Sequence, residues 1–99
     1  MAKKNEYIIK LEKPYTFEGT EYNEIDLSGL EKLTVKDLVE AEKQFTASGQ
    51  AAAVAEMSIG YAAIVAAMVT KKPVEFFNGL PAKDGVKVKT MVSSFFLLD

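Results

Sequence analysis

The chain has 99 residues, of which 48% are apolar and 26% charged, and its formal net charge is −2. This length and composition predict one folded domain, residues 1–99, with a modest hydrophobic core. All twelve basic residues are lysine, and histidine and cysteine are absent. Because arginine forks, imidazole and thiolate are all missing, the composition disfavours nucleic-acid binding and catalysis and favours protein binding or assembly.

The N-terminal part of the chain, residues 6–27, predicts a small β-hairpin. Apolar and polar side chains alternate over residues 6–12, as in a half-buried strand, and Pro14 is expected to interrupt that strand. Residues 18–20 are typical of a hairpin turn, because Gly19 can adopt a positive φ. A hairpin of this size needs an apolar body to pack on.

The next segment predicts a first helix that begins after Thr34. Thr34 is a good N-cap, and Asp37 follows three residues later, which approximates a capping box. Gly49 is expected to end this helix. Apolar residues at helical spacing predict its buried stripe: Val35, Leu38, Ala41 and Phe45.

A long apolar segment without turn residues, residues 49–72, predicts the central helix, at about residues 50–71. One face carries bulky side chains and the opposite face small ones, so we expect it to pack on both sides. A membrane span is the alternative, but the segment is rich in alanine and Glu56 would be costly in a bilayer. We therefore expect a buried helix and no membrane association, and residues 1–13 do not resemble a signal peptide.

The C-terminal part predicts two further helices. Pro73 ends the central helix, a short helix over residues 74–78 ends at Gly79, and a last helix opens near Pro81 and Asp84. One face of this last helix carries Val88, Met91, Val92 and Phe95. The predicted fold class is therefore α+β and mainly helical: an N-terminal β-hairpin packed on three to four helices, with residues 34–98 as the helical region.

No group of residues forms a catalytic or metal-binding motif. Glu56 is the most suggestive carboxylate because it lies in an apolar segment, yet the chain offers it no histidine, cysteine or arginine partner. Ser58 and residues 93–94 have no base placed beside them by any motif. The acidic residues within 18–26 do not follow a calcium-loop spacing. We predict no catalytic, cofactor-binding or metal-binding residues.

Two pairs of adjacent phenylalanines are the strongest candidates for a partner surface. Neighbouring side chains on a helix point about 100° apart, so one core does not easily cover both members of a pair. The alternative is that several elements wrap around them. The candidate partner-binding residues are Phe76, Phe77, Met91, Phe95 and Phe96.

The order of these signals resembles one protein family. A short strand-rich start is followed by Leu-Thr-Val-Lys-Asp-Leu at 33–38, an alanine-rich helical middle, Pro-Val-Glu-Phe-Phe-Asn-Gly-Leu at 73–80 and Pro-Ala-Lys-Asp-Gly-Val at 81–86. The chain ends in a helix with two phenylalanines. This pattern, from about residue 7 to residue 97, resembles the small phage tail assembly chaperones of P2-like and Mu-like tailed phages.

The resemblance implies a non-catalytic chaperone of the host cytoplasm. Such a protein would bind the tape measure protein, or another tail protein, during virion morphogenesis, with the five candidate residues as its client surface. The alternatives are a structural tail component, such as a tube or completion subunit, and another small helical protein-interaction domain. Self-association, the identity of the client and a frameshifted longer form stay open.

Overall fold

The computed structural model describes residues 7–47, 49 and 58–97. Its elements, in chain order, are β1 (Ile8–Phe17), β2 (Thr20–Asp26), a 3₁₀ helix (Ser28–Lys32), α1 (Val35–Ala47), α2 (Ile59–Thr70), α3 (Val74–Asn78) and α4 (Ala82–Leu97). Within these described residues, an antiparallel two-stranded hairpin is thus followed by four α-helices. The predicted α+β, mainly helical fold class is confirmed.

The hairpin turns where its sequence predicts. Glu18 and Gly19 form a two-residue turn, and both have positive φ, 50° and 84°. Phe17 pairs with Thr20 across this turn. Positive φ at both central residues defines the type I′ turn, whose twist matches that of two antiparallel strands.

A wide irregularity lies in the middle of β1. Lys10 pairs with Glu24 and Tyr15 pairs with Tyr22, so four residues of β1 lie opposite a single residue of β2. Pro14 lies in this irregular part. Because the regular ladder is suspended there, the missing amide of proline leaves no broken ladder bond. The expected interruption around Pro14 is thus found in the pairing of the two strands, while β1 itself continues through it to Phe17.

The start of α1 is fixed by a reciprocal cap. The Thr34 amide donates to Asp37 Oδ2 at 3.0 Å, and the Asp37 amide donates to Thr34 Oγ1 at 3.3 Å. This confirms the predicted capping box. Ala41 and Phe45 are buried as predicted, but Val35 is 77% exposed. Val35 lies about 120° around the helix from Ala41, which places it beyond the buried stripe.

The central helix α2 begins later than predicted. Ser58 has an extended backbone, and its Oγ accepts hydrogen bonds from the amides of Gly60, at 3.1 Å, and Tyr61, at 3.5 Å. A serine in this conformation ends any helix before it and caps the one that follows. The predicted continuous helix over 50–71 is thus wrong at Ser58, and residues 50–57, including Glu56, lie outside the described residues.

The core is built around α2. All seven residues from Tyr61 to Ala67 are buried, and α2 packs against α1, α3, α4 and the 3₁₀ helix. The 3₁₀ helix approaches so closely that a Cβ at Gly29 would lie 3.0 Å from the carbonyl oxygen of Val69. The prediction that the central helix packs on more than one side is confirmed.

The C-terminal end of α2 has an unusual cap. Lys71 adopts the left-handed conformation with φ of 60°, and the Lys72 amide donates to the carbonyl of Ala67 at 3.1 Å. Lys72 Nζ then lies 4.6 Å from the ring centre of Tyr22, in cation–π geometry. The turn therefore links the end of α2 to the hairpin.

In the described part of the chain, no helix combines the length and apolar character that crossing a bilayer requires.

Candidate partner-binding surface

Phe76 lies at the centre of an aromatic cluster. It is fully buried, and its ring makes edge-to-face contacts with Tyr22, Tyr15 and Phe17 at centroid distances of 4.9, 5.2 and 5.3 Å. The Tyr15 hydroxyl also donates to the carbonyl oxygen of Phe76 at 2.8 Å. Partial burial raises the pKa of the Tyr15 phenol. These contacts fasten α3 to the hairpin.

Phe77 is buried on the other side of α3. Its ring lies 4.9 Å from that of Phe76, and it lines a groove between α2, α3 and α4. Both rings of this pair are thus buried, which is the alternative in which several elements wrap around them. Because the hairpin covers one side of this short helix while α2 and α4 cover the other, two side chains that diverge by about 100° both reach a core.

Three of the five predicted residues lie on α4 and are only partly buried: Met91, Phe95 and Phe96. The Phe95 ring meets the Tyr7 ring edge-on at 6.4 Å, and Phe96 lies 6.4 Å from Tyr61. The two phenylalanine rings are 5.5 Å apart. They form a partly covered aromatic group in the last turns of α4, while Val88 and Val92 of the same helix are buried.

A groove lies between the hairpin and α4, on the side of Met91. This β1–α4 groove has a volume of about 460 Å³ and is lined by Ile8, Ile9, Lys10, Val86, Lys87, Thr90 and Met91. Val86 is 51% exposed within it. Sequence reasoning did not single out Val86 or Ile8, because their proximity depends on α4 packing beside β1. The sequence signal that could have indicated this groove is Val86, an apolar residue of α4 that lies outside the buried stripe of that helix.

A second groove opens between α2, α3 and α4. It measures about 330 Å³, and its lining carries no charged side chain: Ile59, Gly60, Ala63, Phe77, Asn78, Leu80, Ala82, Gly85 and Val88. Ile59, the first residue of α2, is half exposed at its rim. Apart from Phe77, no candidate residue lies in this groove.

Asp84 and Lys87 bind the outer edge of β1. Asp84 is 1% exposed, and its Oδ1 accepts from the Glu12 amide at 3.4 Å and lies 3.5 Å from Lys87 Nζ. Lys87 Nζ donates to the carbonyl oxygen of Lys10 at 3.0 Å. The sequence indicated Asp84 only as a residue of the helix start, and its burial was missed because Glu12 is 72 residues away in the chain.

The other polar candidates have structural roles or lie outside the described residues. Ser58 caps α2, and Glu56 is not described. Among residues 7–47, 49 and 58–97, no three acidic side chains come together in a way that would hold a metal ion. What the described surface offers is apolar grooves and partly covered rings, which are features of a binding protein.

Residues 8–97 match the model of a family described as "Phage tail assembly chaperone proteins, E, or 41 or 14". The chain belongs to this family. The resemblance to phage tail assembly chaperones is thereby confirmed over nearly the whole chain. Neither a curated protein nor a solved structure matches it. A tail assembly chaperone has protein partners in tail assembly, and the family is generally non-catalytic.

Proposed function

We propose that this chaperone binds the tape measure protein in the host cytoplasm and shields it until tail tube subunits polymerise around it. Family membership over residues 8–97 is the observation that carries the proposal. A long helical client exposes apolar helix faces, and a chaperone with apolar grooves is suited to cover them.

The client surface in this proposal consists of Met91, Phe95 and Phe96. These side chains lie in the last turns of one helix and keep part of their area exposed. Methionine and aromatic residues are enriched at interfaces because they bury large areas and adapt to irregular partners. Phe76 and Phe77 are not included in this proposed surface, since their rings are buried and support the hairpin and α3.

Co-expression with the tape measure protein of the same phage, followed by affinity purification, tests the proposal. The wild-type chaperone should retain that client. Met91→Glu should lower the recovered client by about tenfold or more, because a charge placed in an apolar contact is costly to desolvate. Val35→Glu is the matched control, since Val35 is an exposed apolar residue on another helix. Circular dichroism melting checks that both variants fold.

The outcomes separate the function from the surface. Failure to retain any long helical client, together with spontaneous rings or filaments, would favour a structural tail component over a chaperone. Equal losses of client in Met91→Glu and Val35→Glu would leave the function standing and refute the assignment to α4.

A further inference from the structure

The outer edge of β1 has backbone groups that alternate in a defined way. The Leu27 amide donates to the Tyr7 carbonyl at 2.8 Å, so odd-numbered residues at this end of β1 face β2. Ile9 pairs with Ile25 in the same register. Because hydrogen-bonding direction alternates along an antiparallel strand, the backbone groups of Ile8 and Lys10 point away from β2. The bond from Lys87 Nζ to the Lys10 carbonyl, on the outer side, agrees with this.

These outward groups border the β1–α4 groove. Ile8, Ile9 and Lys10 form one wall of the groove, and Val86 and Met91 form an apolar wall on α4. Two side chains of α4 are hydrogen-bonded to this edge: Lys87 donates to the Lys10 carbonyl, and Asp84 accepts from the Glu12 amide. Nearer the start of β1, the amide and carbonyl of Ile8 and the amide of Lys10 point away from β2. They face the groove, where α4 presents apolar side chains.

We propose that the β1–α4 groove binds an extended segment of a protein partner, which adds as a third strand to the outer edge of β1 at Ile8–Lys10. Backbone groups at a sheet edge pair with an extended chain, and alternate side chains of that chain would then contact Val86 and Met91. Lys87 and Asp84 end the site, because they occupy the next backbone groups of β1. The proposal rests on the proposed function in one respect: Met91 belongs to both surfaces.

A synthetic peptide of alternating valine and threonine, with a lysine at each end, is the probe. Nuclear magnetic resonance titration against the whole chaperone should shift the Ile8 and Lys10 amide signals and slow their hydrogen exchange. The same peptide carrying N-methyl groups on the amides that face β1 should bind at least about tenfold more weakly, because it keeps the side chains and loses main-chain hydrogen bonds. Equal affinity of the two peptides, or no binding of the unmodified peptide, overturns the proposal.

Two proline variants form a matched pair on the protein. Lys10 and Glu24 are paired across the hairpin, and their side chains form an exposed ion pair at 3.6 Å. Lys10→Pro and Glu24→Pro both remove that ion pair and one outward amide, but on opposite edges of the sheet. Peptide affinity should fall about tenfold in Lys10→Pro and stay unchanged in Glu24→Pro. Equal effects in the two variants would contradict addition at β1.

The two proposals fail separately. Undiminished recovery of the tape measure protein by Lys10→Pro, together with unchanged affinity of this variant for the peptide, would refute the strand site and leave the chaperone function intact. Absence of any client with the wild-type protein would refute the chaperone function, whatever the peptide does. Tight binding of a helical apolar peptide in this groove, unaffected by Lys10→Pro, would overturn strand addition in favour of a helical occupant.

Discussion

Replacement of Phe76 by alanine should remove a large part of the stability of this protein. The ring is fully buried, and four other rings meet it edge-on at 4.9 to 5.3 Å. Truncation of a buried phenylalanine to alanine costs about 3–5 kcal/mol, a figure that includes the cavity left behind. A domain of this size has a free energy of unfolding of about 5–15 kcal/mol. Phe76→Ala therefore removes about a fifth of the stability or more.

Urea unfolding followed by circular dichroism measures this loss, and Phe95→Ala is the matched control. Phe95 is partly exposed and contacts the rings of Tyr7 and Phe96. Its truncation should cost about 1 kcal/mol, because only part of its apolar area leaves water on folding. Should Phe76→Ala fail to fold, Phe76→Leu keeps the comparison measurable, at about 1–3 kcal/mol.

A cost below about 1.5 kcal/mol for Phe76→Ala, or equal costs at the two positions, would refute the assignment of Phe76 to the core. The same pair of variants separates folding from binding. Phe95→Ala should weaken client recovery by more than its small loss of stability explains. Phe76→Leu should leave recovery intact under conditions in which the variant stays folded.

Three further predictions concern individual contacts. Thr34→Ala should lower the free energy of unfolding by about 1 kcal/mol, since it removes the hydroxyl that caps α1; Thr34→Ser, which keeps the hydroxyl, should not. Gly29→Ala should cost about 1–3 kcal/mol in the same measurement, because its Cβ would lie 3.0 Å from the Val69 carbonyl; a neutral result would refute the close approach. Tyr15 has a raised pKa, so its contribution to stability is present below about pH 10 and is lost as the pH rises through the folded-state value. Tyr15→Phe should abolish this alkaline decline and destabilise the protein at neutral pH by about 1–3 kcal/mol, because the buried Phe76 carbonyl loses its donor. An unchanged alkaline decline in Tyr15→Phe would assign the titration to another group.

Local signals in the sequence predicted the features that depend on neighbouring residues. The turn at Glu18 and Gly19 and the cap formed by Thr34 and Asp37 each involve groups within three residues of one another. Their chemistry selects a conformation with little help from the rest of the fold. The hairpin, the start of α1 and the exposed and buried faces of α4 followed from such signals.

Features that depend on packing between residues far apart in the chain could not be predicted from the sequence. Phe76 is covered by Tyr15 and Tyr22, which precede it by more than fifty residues, so its burial could not be inferred from α3 alone. Ser58 was misread for a different reason. Its alanine-rich surroundings favour a helix, whereas its own side chain favours a cap, and the capped conformation is the one found. The β1–α4 groove required knowing that α4 packs beside the strand.

Within α4, the residues that fold the protein and those that offer a surface lie on adjacent faces. Val88 and Val92 follow the buried stripe, and Met91 lies about 60° from Val88 around the helix, at the border of the groove. Because these faces share a backbone but not their neighbours, a substitution at Met91 can change client binding while the core stays packed. At Val92, which is buried in the core, an effect on client binding cannot be separated from an effect on folding, so any loss of binding would reflect loss of folded protein. Client recovery per folded molecule should therefore fall in Met91→Glu and stay constant in Val92→Ala.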